Sequence, residues 1–285
     1  MLRACFASRK SRVRVPPSPP RKQHGPDALA NRNCLDSRAM PWYFAVIESQ
    51  HELQNPTSVE KIRLLGERLR LTPRSHVLDI AAGAGGPALV LAESFGCRVT
   101  CVEKAEEFVI AARRRVLDAG LDSLIELVHS DARSFPIDEE RYDAALCLGA
   151  SFVWDNLAGT LDALRPSVLP GGSVAVGEPY WRAWPLPKGY DVDPEWTGDD
   201  YATLGGTIER FRRAALEPLT IIDSSLDDWD RYESLHWLVA EEWLGSHPED
   251  KDADEIRSRM DHDRDAYLRW QRDLLGWAII AGRKR

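Results

Sequence analysis

His76-Val77-Leu78-Asp79-Ile80-Ala81-Ala82-Gly83-Ala84-Gly85-Gly86-Pro87-Ala88-Leu89-Val90-Leu91-Ala92 reads as strand, turn and helix. Val77 to Ile80 form the short apolar run of a strand buried on both faces, broken only by Asp79 near its carboxyl end. Ala81 to Gly86 are small, and glycine accepts positive φ without side-chain bulk, so the backbone turns tightly and approaches a ligand closely. Pro87 suits the first helical turn, where its missing N–H sacrifices no hydrogen bond. Ala88, Leu91 and Ala92 supply the sheet-facing side of the helix. Unpaired amides at such a helix start favour a polar or anionic group. The residues Gly83 to Ala88 also satisfy the dinucleotide pattern G-x-G-x-x-G/A, but a tight turn that holds nothing satisfies it equally.

Downstream, Arg98 to Glu103 reads as a second strand, and Glu103 follows Gly83 by twenty residues, the distance at which a carboxylate reaches ribose hydroxyls. Phe108, Ile110, Ala111 and Val116 mark a crossover helix ended by Gly120. A third strand, Leu124 to His129, leads to Asp131, placed to accept an adenine amine or to cap a turn. Tyr142 to Ser151 forms a fourth strand, Leu157 to Val168 a helix, Pro170-Gly171-Gly172 a turn and Ser173 to Glu178 a fifth strand. Pro179 to Gly206 reads as a long loop across the site, followed by a helix over Ile208–Leu216 and a sixth strand over Leu219–Ile222. Two helices come next: Trp229, Tyr232, His236, Val239 and Trp243 share a face of the first, while Ile256, Met260, Tyr267, Trp270 and Leu274 fall less regularly on the second. Gly276 to Gly282 is a final strand.

Upstream, Met40 to Ile47 is an aromatic, apolar segment in need of a surface to cover. Gln54-Asn55-Pro56 marks a turn, and Thr57-Ser58-Val59-Glu60 has the form of a capping box opening a helix through Val59, Ile62, Leu65 and Leu69. Strands alternating with helices in this rhythm predict a doubly wound α/β fold whose mostly parallel sheet is covered on both faces and binds ligands at its carboxyl ends.

The formal net charge of −8 is unevenly distributed. Residues 1–39 carry nine Lys/Arg against two Asp/Glu, leaving 28 basic and 43 acidic residues, −15, in residues 40–285. A body this acidic is a poor grip for a phosphate backbone, so no nucleic-acid partner is expected. No apolar run is long enough to span a bilayer. Five cysteines without paired zinc spacing suggest reduced thiols, no metal and a cytoplasmic protein. The basic, proline-rich stretch 1–39 is expected to be disordered. Three readings stand for it: a transit peptide, against which the proline cluster speaks; a nucleic-acid-binding arm, from charge alone; and a start assigned too far upstream with Met40 the true initiator, favoured because Arg12-Val13-Arg14-Val15-Pro16 is encodable by a sequence characteristic of a tRNA T-arm.

Taken together, the Val77–Gly86 turn, the strand ending at Glu103, the Asp131-Ala132 pair and Leu169-Pro170-Gly171-Gly172 resemble a class I S-adenosylmethionine-dependent methyltransferase of the bacterial, small-molecule type, over residues 40–285. Ala81-Ala82 stands where many relatives carry Gly-Cys or Gly-Ser. The resemblance implies a seven-stranded Rossmann-like sheet with the last strand antiparallel to the other six, and a helical insertion or lid at about 225–273 before it. It implies cofactor contacts from Asp79, Ala81, Gly83 and Gly85 to the methionine and sulfonium end, from Glu103 with adjoining Lys104 to the ribose, from Asp131 and Ala132 to the adenine, and from Leu148 and Gly149 to the span between ribose and methionine.

Methyl transfer is an in-line displacement, so the protein chiefly aligns nucleophile, methyl and sulfur and excludes water. An acceptor that must lose a proton needs a general base, for which Glu178 and His236 are candidates. Tyr43, Trp154, Tyr180 and Trp181 are candidates for an aromatic acceptor pocket or for lid packing. The alternatives are an NAD-dependent oxidoreductase and a non-catalytic S-adenosylmethionine-binding protein.

Overall fold

The computed structural model describes residues 40–187, 190 and 201–285, so the expectations for residues 1–39 and much of the loop after Pro187 lie outside the described residues. The run at the glycine turn becomes β1 (His76–Ile80), which pairs in parallel with β2 (Arg98–Glu103) on one side and β4 (Tyr142–Leu148) on the other. With β3 (Ile125–His129), β5 (Val168–Trp181), β6 (Leu216–Asp223) and β7 (Leu275–Lys284), the described strands form one sheet in the order β3-β2-β1-β4-β5-β7-β6. β7 is antiparallel to both neighbours, β5 and β6, which makes it antiparallel to the other six strands.

Side-chain alternation splits the core into two layers. Val77, Cys101, Leu146 and Ile279 face α2 (Val59–Leu69) and α3 (Gly86–Phe95), where Ile62, Leu65 and Leu91 are fully buried. Leu78, Ile80, Cys147, Val176 and Ile280 face α5 (Leu157–Leu164) and α6 (Leu204–Arg213) through Leu157, Leu161, Leu164 and Phe211. Removing a side chain such as Leu65 would cost about 2–5 kcal/mol, because the cavity collapses only in part. Between β6 and β7 come α7 (Leu226–Ser246) and α8 (Ala253–Ala266), then a π-helical turn over Tyr267–Gln271 and a last short helix over Arg272–Leu274. A third cluster packs α1 (Met40–Ile47) on these helices through Tyr43, Ile47, Ala240, Leu244, Ile256 and Met260. The aromatic upstream segment thus covers the insertion, not the sheet. No helix among the described residues is long and apolar enough to cross a membrane.

Several boundaries move. Ser58, not Thr57, caps α2, its hydroxyl accepting the Lys61 N–H, so the third helical position is Lys61 and not a Glu. The inward face of α4 (Glu106–Asp118) is Val109, Ala112 and Val116, while Ile110 is 59% exposed. β4 stops at Leu148, and Ser151–Trp154 is a 3-10 turn. α5 stops at Leu164. Pro170-Gly171-Gly172 bulges within β5, between the pairs Tyr142↔Val168 and Ala144↔Ser173, with Gly171 at φ +81. β5 continues through Pro179 to Trp181, and α6 begins at Leu204, four residues before the expected start. The irregular stripe through Trp270 and Leu274 follows from the π-helical turn, whose wider pitch rotates later residues off the face set by Ile256 and Met260.

Candidate functional site

The carboxyl ends of β1, β2, β3 and β4 gather the residues expected around the cofactor. After β1 the backbone takes positive φ at Ala81, Gly83 and Gly85 (+54, +56 and +76), and Gly149 after β4 does so at +83. Glycine makes three of these turns inexpensive, and Ala81 is the one strained position among the four. A side chain on Gly83 would lie 2.2 Å from Gln54 Oε1, and one on Gly149 would lie 2.0 Å from Asn55 Oδ1.

Glu103 at the end of β2 organises the turn. Its Oε2 accepts the Gly83 N–H at 2.9 Å, and its Oε1 accepts those of Lys104 and Ala105 at 2.8 and 2.7 Å. Burial raises its pKa, and the three amides pull the other way. Asp79 is less well supported: its Oδ2 is buried without a hydrogen-bond partner, and burial, with the charge of Glu103 added, pushes its carboxyl up to about 7. A cation brought beside Asp79 is the missing counter-charge. Asp131 is partly exposed and paired to Lys104 Nζ at 2.8 Å, its other oxygen accepting the Arg133 N–H at 3.0 Å. That lysine contact holds its carboxyl below the usual range, and Ala132 beside it is buried. Leu148 is buried, and its carbonyl accepts Asn55 Nδ2 at 3.1 Å.

These features suit S-adenosylmethionine. The backbone turns at positive φ after β1 and after β4, a buried carboxyl oxygen lacks a partner, and an acid stands at the second strand end.

The remaining candidates divide among three places. Glu178 sits three residues before the end of β5 on the α5/α6 face, 3% exposed, with Oε2 unpartnered. Burial lifts its carboxyl to about 8 against the opposing pull of the Ser151 hydroxyl and Arg210. Alternation puts Asp79, in step with Val77, on the opposite sheet face. Trp154 packs beside that α5/α6 layer. Tyr180 covers Gly276 and donates to Asp223 at 2.8 Å. Trp181 is buried on the other face, 6.2 Å from the Tyr201 ring. Tyr43 lies apart, under Arg259 against α8. His236 is fully buried on α7, its Nε2 3.8 Å from Glu48 and its Nδ1 3.9 Å from Glu233. Burial opposes its charge, but the two carboxylates outweigh this and raise its pKa. His51 stacks on it at 4.2 Å, and burial drives the His51 pKa down to about 4.

Four further residues shape the site: Gln54, Asn55, Arg115 and Trp277. Gln54 Oε1 accepts the Ala84 N–H at 2.5 Å, and Arg115 Nη1 donates to the Ala84 carbonyl at 3.1 Å. The Trp277 ring lies 2.3 Å from where a Gly177 side chain would begin, and Gly149 N lies 3.2 Å from that point. In sequence, Gln54 and Asn55 look like turn residues and Trp277 like part of a strand. Tertiary contact alone gives them their places.

Residues 77–172 match the model of a methyltransferase domain. The chain is 30% identical to YjhP of Escherichia coli strain K12 over 85% of its own length and 98% of that protein. It resembles a solved S-adenosylmethionine-dependent methyltransferase from Thiobacillus denitrificans in complex with S-adenosylhomocysteine, with 32% identity and a TM-score of 0.77 over 85% of this chain and 98% of that one. It is also 35% identical to a demethylmenaquinone methyltransferase of Clavibacter sepedonicus, over 58% of this chain and 64% of the relative.

Proposed function

The chain belongs to the class I S-adenosylmethionine-dependent methyltransferases, and from that premise we propose that its methyl acceptor is a small molecule bound against the ends of β4, β5 and β7. Both alternatives, an NAD-dependent oxidoreductase and a non-catalytic binder, give way to the family assignment. The observation that carries the proposal is the fully buried indole of Trp277 over Gly177, a glycine whose β-carbon position also lies 3.2 Å from Gly149 N. It sets an aromatic wall at the strand end where the cofactor's ribose-to-methionine span is expected, with Trp181 and Trp229 buried in the same layer. Such a wall favours a compact acceptor with a flat or apolar body over a charged polymer. The demethylmenaquinone relative is consistent with an acceptor of that kind.

When bound, S-adenosylmethionine supplies an electrophilic methyl on a cationic sulfur. Asp79 offers the counter-charge for the cofactor's cationic groups, since its buried Oδ2 has no partner of its own. Glu103 Oε2 has one lone pair left for a ribose hydroxyl, and Asp131 with Ala132 edges the adenine. The glycines let the cofactor approach the backbone. Glu178, across the sheet from Trp277 on the α5/α6 side, takes the proton of an acceptor that reaches over the strand ends; its raised pKa, about 8, makes it a strong enough base for a phenol or enol when ionised. His236, held between two carboxylates in the insertion, serves the packing of α7 better than proton transfer at the sheet.

Calorimetry with S-adenosylhomocysteine and NAD, followed by turnover against a metabolite panel read by mass spectrometry, tests the reading. We expect micromolar binding of the first compound alone and methylation of a flat, weakly acidic acceptor. Methylation confined to protein or nucleic acid would refute the small-molecule assignment.

A further inference from the structure

We propose that Glu48 is a positioning residue for the cofactor turn, acting through the side-chain amide of Gln54. The proposal rests on the cofactor reading above and extends it to the segment that follows α1. The Glu48 side chain is 9% exposed; its Oε2 accepts Gln54 Nε2 at 2.7 Å, and its Oε1 accepts the Tyr232 hydroxyl of α7 at 2.9 Å. An ionised carboxylate only accepts hydrogen bonds, so Gln54 must turn its NH2 toward Glu48 and its carbonyl toward the turn. There Oε1 meets the Ala84 N–H, which only donates. The acid thus fixes which way round the amide sits.

Ala84 lies between two glycines at positive φ, a segment whose own conformational preference is weak. Both polar backbone groups of Ala84 are held from outside, the N–H by Gln54 and the C=O by Arg115, whose Nη2 also donates to the Glu52 carbonyl at 3.0 Å. Asn55 next in the chain donates to Leu148 O, so adjacent residues of one segment touch both cofactor loops. The Tyr232 hydroxyl also lies 3.3 Å from the main-chain carbonyl oxygen of Gln54. A chain of hydrogen bonds therefore runs from α7 through Glu48 and Gln54 to the glycine turn, and it pre-organises the turn before any ligand arrives.

A swapped-pair experiment tests this. Isothermal calorimetry with S-adenosylhomocysteine is run on the full chain for wild type, Glu48→Gln, Gln54→Glu and the double variant, each checked for folding by thermal unfolding. Glu48→Gln lets Gln54 invert and present N–H to N–H, and Gln54→Glu sets two carboxylates against each other. Each single variant should bind about tenfold more weakly, the scale of one misdirected charge-assisted hydrogen bond. In the double variant, the new amide at position 48 donates to the new carboxylate at position 54, whose second oxygen accepts the Ala84 N–H. Binding should then return to within about threefold of wild type through pairwise coupling. In turnover, the losses should appear in KM for S-adenosylmethionine and not in kcat. Additive loss in the double variant, or wild-type affinity in Glu48→Gln, overturns the proposal alone, and absence of binding by the wild type overturns the cofactor reading with it. Should Glu48→Gln not fold, Glu48→Asp, whose shorter side chain cannot reach both Gln54 Nε2 and the Tyr232 hydroxyl, must show the same loss of affinity, and wild-type affinity there overturns the proposal.

Discussion

Two buried carboxyls, one near the end of β1 and one three residues before the end of β5, share a chemistry and differ in company. Asp79 and Glu178 are both nearly inaccessible, each has an oxygen without a partner, and burial lifts them to about 7 and about 8. Asp79 has a second acid, Glu103, as its electrostatic neighbour, so its surroundings want a cation. Glu178 has a hydroxyl and Arg210 pulling the other way, on the opposite side of the sheet, so its surroundings tolerate charge once a proton has been moved. One residue chemistry at one degree of burial is thus suited to hold a cationic cofactor in one place and to exchange a proton in another.

Glu178→Gln tests the proton side and should have the largest effect: a loss of kcat of about 10²–10⁴-fold with affinity for S-adenosylhomocysteine unchanged. The wild-type rate should rise with pH toward about 8, the value set by burial, and that limb should vanish in the variant. Equal pH profiles would remove Glu178 from proton transfer.

Asp79→Asn tests the cation side, with affinity for S-adenosylmethionine falling about 10–100-fold and that for the neutral-sulfur product falling less. The same variant should raise the thermal stability of the ligand-free protein at pH 8. A carboxyl with a raised native pKa stays protonated in the folded chain where the unfolded chain has ionised. Its contribution is therefore fully present below about pH 4 and is lost as pH rises through about 7, an effect on the order of 4 kcal/mol. Unfolding midpoints across pH 4–9 read this directly, and a flat wild-type curve would contradict the shift.

How much of this contrast is visible in the sequence depends on range. Asp79, the glycines and Glu103 fall within one strand-turn-helix-strand unit, where spacing along the chain nearly dictates spacing in three dimensions. Gln54 and Asn55 reach the site by contacts with Ala84 and Leu148 that no local pattern encodes. The inward face of α4 is misread at Ile110 because alternating small and branched residues let two faces look equally apolar. The sheet face of Glu178 depends on where β5 begins, and the bulge at Pro170-Gly171-Gly172 obscures that start.

Gly149→Ala sharpens the comparison at its midpoint. A β-carbon at φ +83, 2.0 Å from Asn55 Oδ1, must displace that side chain from Leu148, and cofactor affinity should fall about tenfold with little change in kcat at saturation. Smallest of all is Ile110→Ser on the solvent side of α4, expected to change unfolding free energy by less than about 0.5 kcal/mol. A larger loss would mean that this face is covered.

The place of β7 has a consequence for how the chain is made. Among the described strands β6 borders β7 alone, and β7 follows all the others in chain order, entering between β5 and β6 after the whole helical insertion. On a ribosome, β6 and the open edge of β5 emerge well before the strand that joins them. The nascent chain must carry two unpaired edges until translation reaches Leu275 and beyond. Closure of the sheet is therefore a late step, and shielding those edges in the interval falls to the insertion helices or to chaperones.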